Sequence, residues 1–161
     1  MKLLNQNLLE NQQDSGSSSS PKGRKSTAKP KRGYAAPPAK TANITARPLD
    51  WETDELTSSL TGSGSDRSFD AVIACDCIYN DTLIEPLVQT CIDACKLRVE
   101  DASSEEPTVC IVAQQLRSSE VFEDWLKAFH IAFHVWRVPD EKLIDGLKSD
   151  SGFVIHIGVL R

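Results

Sequence analysis

No run of about 18 apolar residues occurs in this 161-residue chain, so a membrane-spanning helix is not expected. The opening MKLLNQNLLENQQD breaks its leucines with Asn and Gln and lacks the continuous apolar core of a secretory signal. The five cysteines form neither a CxxC pair nor a histidine-coupled knuckle, which argues against a zinc ribbon or finger. No GxSxG, P-loop or GxGxxG stretch is present, so three common signposts of hydrolysis and nucleotide binding are missing. Aromatic residues are few, at 6%, yet 40% of the chain is hydrophobic. That content suffices for one domain with a modest core.

The charges are divided unevenly. Residues 1–48 carry nine Lys/Arg against two Asp/Glu, a balance of +7; residues 49–161 carry nine against 21, a balance of −12, and the two sum to the net −5 of the chain. The larger part is therefore acidic, the wrong sign for a surface that tracks phosphates. An odd number of cysteines without a secretory leader suits reduced thiols, so the expected location is the cytosol or nucleus.

Residues 2–11, KLLNQNLLEN, have leucines at helical spacing but span only two or three turns, too few for a stable isolated helix. From Gln13 to Thr41 the chain is rich in Ser, Lys, Pro and Gly. It has little to bury and is expected to be a disordered linker or insertion. Its KGRKSTAKPKR stretch reads either as a solvated basic loop or as a nuclear address or nucleic-acid contact.

Order is expected to resume with NITARPLDW, a short strand ending near Leu49, followed by the polar loop SSLTGSGSDRS. FDAVIAC, residues 69–75, has the length and apolarity of a strand buried in a parallel sheet. Apolar positions 83, 84, 87, 88, 91, 92 and 95 then mark one face of a helix running from about Leu83 to Leu97. Pro86 falls in its first turn, where a missing N–H does no harm. TVCIVAQQL at 108–116 is a second buried-strand candidate. Ser118 suits the cap of a next helix that carries Phe122, Trp125, Leu126, Phe129 and Phe133 on one face. HVWRV at 134–138 and GFVIHIGVL at 152–160 close the chain as strands. This alternation predicts an α/β fold with a mainly parallel sheet and a final antiparallel hairpin with a long connection.

Ligands of open α/β sheets bind beyond the carboxyl ends of the strands. One such end is LDW at 49–51; the other is Cys75, Asp76, Cys77, Ile78, Tyr79. Asp76 and Tyr79 either face one crevice together, or Asp76 caps the next helix and Tyr79 packs beneath it. Trp51 could stack on a flat aromatic ligand or serve the core. Cys91, Cys95 and Cys110 lie at apolar helix and strand positions, which makes them core residues, and no metal site is expected.

PLDW, FDAVIACDCIY, a helix with EPLV and a strand running into QLR together resemble the seven-strand lysine methyltransferases with a D-x-x-Y signature. The tail, SSEVFEDWLKAFHIAFHVWRVPD followed by SGFVIHIGVL, is similar to that of the fungal ribosomal-protein lysine N-methyltransferases numbered five. The similarity spans about residues 43–161 and includes KLLNQNLLEN, which resembles the family's helix after its second strand.

The resemblance implies a Rossmann-like sheet of family order 3-2-1-4-5-7-6. It also implies S-adenosyl-L-methionine as cofactor and a lysine of a large-subunit (60S) ribosomal protein as target. By it, Trp51 and Cys75 touch the cofactor while Asp76 and Tyr79 face the lysine. The family's first two strands, with their Gly-rich loop and ribose-binding acid, should precede residue 1. The chain is therefore expected to hold a remnant helix at 1–12, an insertion at 13–41, and the C-terminal part of the domain at 42–161, comprising strands 3–7 and two main helices. An open edge is expected on the strand at 69–75. Two rivals stand beside this reading: a non-catalytic interaction module derived from the fold, and a nucleic-acid adaptor resting on residues 22–32 alone. A monomer without membrane association is expected.

Overall fold

The computed structural model describes residues 45–61, 67–101 and 105–161. The expected helix at 1–12 and insertion at 13–41 lie outside the described residues. Contacts divide the chain between Pro48 and Leu49, and Leu49–Arg161 form one compact unit.

Residues 45–50 adopt no regular structure, contrary to the strand expected to end near Leu49. Pro48 has no N–H to give a ladder, and only Ala46 and Leu49 among the six are half-buried. A strand with so little to bury and a missing donor gains too little from pairing. Asp50 to Asp54 instead make a tight turn: the Glu52 N–H donates to Asp50 Oδ1 at 3.0 Å and the Asp50 N–H to Asp54 Oδ2 at 2.8 Å. Short polar side chains that bond their own backbone favour such turns.

The first strand, β1, is Ala71–Cys75. Helix α1, Ile84–Glu100, follows a 3-10 turn at Asp81–Leu83 whose start is capped by the Asn80 side chain, which accepts from the Thr82 N–H. Pro86 lies in its first turn as expected. Its buried face, Ile84, Leu87, Val88, Cys91, Ala94 and Cys95, keeps the helical period. Strand β2, Val109–Gln115, leads to helix α2, Ser119–Ala132, where Ser118 accepts from the Val121 N–H as the cap. Strand β3, Phe133–Arg137, follows with no intervening loop. Phe133, expected on the helix, is already extended, with φ −120° and ψ 148°. It still stacks on Phe129, ring centroids 4.2 Å apart, so the aromatic contact survives the change of backbone. A long connection with three 3-10 turns leads to β4, Phe153–Leu160.

The sheet order is β1-β2-β4-β3. Numbered as the resemblance implies, this is 4-5-7-6, the second half of the family order. Among the described residues β1 and β2 pair in parallel and the other two pairings are antiparallel, so the sheet is mixed rather than mainly parallel. The fold class is α/β with an antiparallel final pair, as expected.

Cross-strand register assigns the faces. Ala74, Val112 and His156 lie in one row, and Cys110 pairs with Gly158 beside it. These residues join Leu87, Cys91, Trp125 and Phe129 of the two helices in the core. Both helices therefore cover the same face. On the other face Ile73 is 67% exposed and Trp136 56% exposed. Among the described residues no helix is long and apolar enough to cross a membrane.

Candidate active site

The strand β1 ends in Cys75, which is exposed, and the next residue turns the chain sharply. Asp76 has φ +54°, and it is the one non-glycine residue with positive φ among the described residues. The left-handed region costs most L-residues about 1–2 kcal/mol, and Asp is one of the few that enter it with some ease. The Asp76 N–H still donates to the Ala113 carbonyl at 2.8 Å, so the ladder runs one residue past β1 before the turn.

That turn aims the carboxylate at the end of β2. Asp76 Oδ1 accepts from Gln114 Nε2 at 2.9 Å, and Oδ2 accepts from the Arg117 guanidinium. Gln114 is 2% exposed. Its Oε1 accepts from the Ile78 N–H at 3.0 Å, and its Nε2 also donates to the Gln115 carbonyl at 3.0 Å. One buried amide thus satisfies polar groups of both strand ends, as burial demands. Arg117 also donates to Gln115 Oε1. The ion pair stays open to water, with side-chain exposures of 60% for Arg117 and 36% for Asp76.

Helix capping upstream of α1 falls to Asn80, not to Asp76. Tyr79 is 64% exposed and makes no hydrogen bond among the described residues, so it does not pack beneath the helix. Cys77 is half-buried, its Sγ donating to the Cys75 carbonyl at 3.4 Å, and burial pushes its thiol up from the ordinary range. Trp51, placed at a strand end by the sequence, sits in the Asp50–Asp54 turn and packs half-buried against the core.

Gln114 and Arg117 escaped the sequence reading, which treated QQLR only as a strand end. The available signal was position: Gln114 and Arg117 stand at the carboxyl end of the strand beside β1, the end at which Asp76 lies. A cavity of about 240 Å³ lies at the other end of β2, beside Thr108 and Leu160, away from these groups.

No curated protein matches the chain. A family model described as lysine methyltransferase matches residues 34–136, a span that includes the turn with Trp51, both parallel strands, both helices and the Asp76 cluster. With this match over more than half its length, the chain belongs to the lysine methyltransferase family.

Proposed function

We propose that the chain is an S-adenosyl-L-methionine-dependent protein-lysine N-methyltransferase acting on a large-subunit ribosomal protein, with Asp76 and Tyr79 facing the lysine and Trp51 and Cys75 facing the cofactor. The observation that carries the reading is the Asp76 carboxylate, held at a strand end by Gln114 and already paired with a solvent-exposed side-chain cation, Arg117. A carboxylate that receives a guanidinium there has the charge and access to receive a lysine ammonium.

Residues of the Asp50–Asp54 turn and of the end of β1 suit the cofactor. Trp51 offers a half-buried indole, and the Cys75 thiol is exposed rather than spent on packing. When bound, the cofactor supplies an electrophilic methyl group. Lysine, with an ordinary pKa of about 10.4, reacts only as the free amine, so the site must first hold the ammonium and orient it as its proton leaves. Asp76 holds it in place of Arg117, whose exposed side chain is free to swing aside. The Tyr79 ring, 64% exposed, narrows the approach and offers its hydroxyl to the amine.

The target class rests on the resemblance of the tail and on charge. The balance of −12 over residues 49–161 complements a strongly basic ribosomal protein. The reading places the protein in the cytosol or nucleus as a monomer, with no membrane partner and with nucleic acid approached only through residues 22–32.

Methyl transfer from labelled S-adenosylmethionine to unmethylated ribosomal proteins tests it. Incorporation into lysine by the wild type, lost in Asp76→Asn, is the expected result. Cofactor-independent binding to the same proteins with no incorporation would favour the interaction module instead.

A further inference from the structure

Three thiols meet in the core at the end of the sheet remote from Asp76. Cys91 and Cys95 stand one turn apart on the buried face of α1, and Cys110 is the second residue of β2. The Cys95 and Cys110 sulfurs are 3.6 Å apart, and Cys91 lies in the same buried cluster. Among the described residues no group of His, Cys, Asp and Glu could hold a metal ion, so the proximity of these sulfurs is not that of a ligand set.

A cluster of buried cysteines is ordinarily inert packing. Cys95 differs from its neighbours because it also lines the cavity of about 240 Å³. The rim of that cavity includes Val99, Glu105, Glu106 and Pro107, all exposed. It offers room for several water-sized molecules. Arg98, Arg161, Glu105 and Glu106 all line it, so charges of both signs are present and a small uncharged oxidant is not excluded. Of the pair, Cys95 is the one that lines the cavity. The hydrogen bond between the two thiols pulls the Cys95 thiol below its ordinary range, while the neighbouring thiols and burial push the Cys110 thiol up.

We propose that Cys95 and Cys110 form a peroxide-sensitive dithiol, with Cys95 attacked through the cavity and Cys110 resolving it to a reversible disulfide between α1 and β2. The chemistry balances with a small hydroperoxide as oxidant. The Cys95 thiolate attacks one peroxide oxygen; the S–O bond forms, the O–O bond breaks, and the departing oxygen takes up a proton to leave as water or alcohol. The Cys110 sulfur then attacks the Cys95 sulfenic acid; the S–S bond forms, the S–O bond breaks, and water leaves with the Cys110 proton. Two thiols lose two electrons and the peroxide gains them. The sulfurs must close from 3.6 Å to about 2.05 Å.

The test is a peptide map of the protein treated with hydrogen peroxide, denatured and alkylated, with and without dithiothreitol. The expected result is a linked peptide pair joining Cys95 to Cys110, lighter by two hydrogens and dissolved by dithiothreitol. Cys110→Ser should instead leave a dimedone-reactive sulfenic acid on Cys95. The map of the wild type needs no variant to fold. The idea is overturned if Cys95 and Cys110 stay fully alkylatable at peroxide levels that oxidise the exposed Cys75. It is equally overturned if the bridge to Cys110 comes from Cys91.

Discussion

The Gln114 amide bridges Asp76 and Ile78: it donates to the Asp76 carboxylate at 2.9 Å and accepts from the Ile78 N–H at 3.0 Å. The bend after β1 is therefore held from the neighbouring strand. A side chain 38 residues further along the chain fixes both the carboxylate and the backbone that follows it.

Replacing Gln114 by Leu keeps the volume but strands the buried Ile78 N–H and frees the Asp76 carboxylate. Unsatisfied buried donors cost about 1–3 kcal/mol. Urea denaturation should show a lower midpoint by that amount with an unchanged slope. An unshifted midpoint would mean that water replaces the amide.

Asp76 has two separable roles. Asn tolerates the left-handed conformation, so Asp76→Asn should lose little beyond the exposed Arg117 ion pair, about 0.5–1 kcal/mol, while abolishing methyl transfer. Asp76→Val forces a β-branched residue into φ +54° and should cost about 1–2 kcal/mol in addition. Transfer by Asp76→Asn at the wild-type rate would remove the carboxylate from the proposed mechanism.

Under the proposed mechanism, Arg117 competes with the substrate cation for Asp76. Removing it in Arg117→Ala releases an exposed ion pair worth ~0.5–1 kcal/mol, so KM for the protein substrate should fall about two- to fivefold, with kcat little changed. A rise in KM would show that Arg117 binds substrate itself.

Gly158 is a packing glycine. A Cβ there would stand 2.6 Å from Phe129 Cε1 and Cζ and 3.3 Å from Phe133 Cδ1, and both rings are fully buried and stacked on one another. Gly158→Ala should therefore cost about 1–3 kcal/mol by overpacking. Thermal melts of Gly158→Ala alone and with Phe129→Leu check this: the smaller side chain should recover part of the loss in the double variant.

His156 should make stability depend on pH. It is buried against Phe122 and Trp125, and its Nδ1 has no hydrogen-bond partner among the described residues. Burial, with the charges of Arg137 and His130, holds its pKa below the ordinary 6.5. Below about pH 6.5 the unfolded chain binds a proton that the native state refuses. Stability should thus be full above that pH, fall as pH drops through it, and level off beneath the native pKa. In His156→Leu this part of the slope should disappear, and chemical denaturation at pH 5 and pH 7.5 compares the two.

Local pattern determined much of this protein. The apolar period of 83–95 and of 122–129 reappears in the buried faces of α1 and α2, because a helix must bury its stripe wherever it lies. Asp76 and Tyr79 were legible as candidates because both follow a buried strand closely in sequence. The strand expected at 43–49 was not legible from apolarity alone, since Pro48 and a scarcity of buried side chains weigh against pairing. Only the tertiary structure decided that Gln114 and Arg117 meet Asp76, that Asn80 is the cap, and that Cys95 and Cys110 touch across two elements. The Asn80 cap is a local contact that competes with Asp76 only once the turn after β1 is formed, while the other two depend on which elements lie beside which, and such long-range pairings leave no periodic trace in the chain.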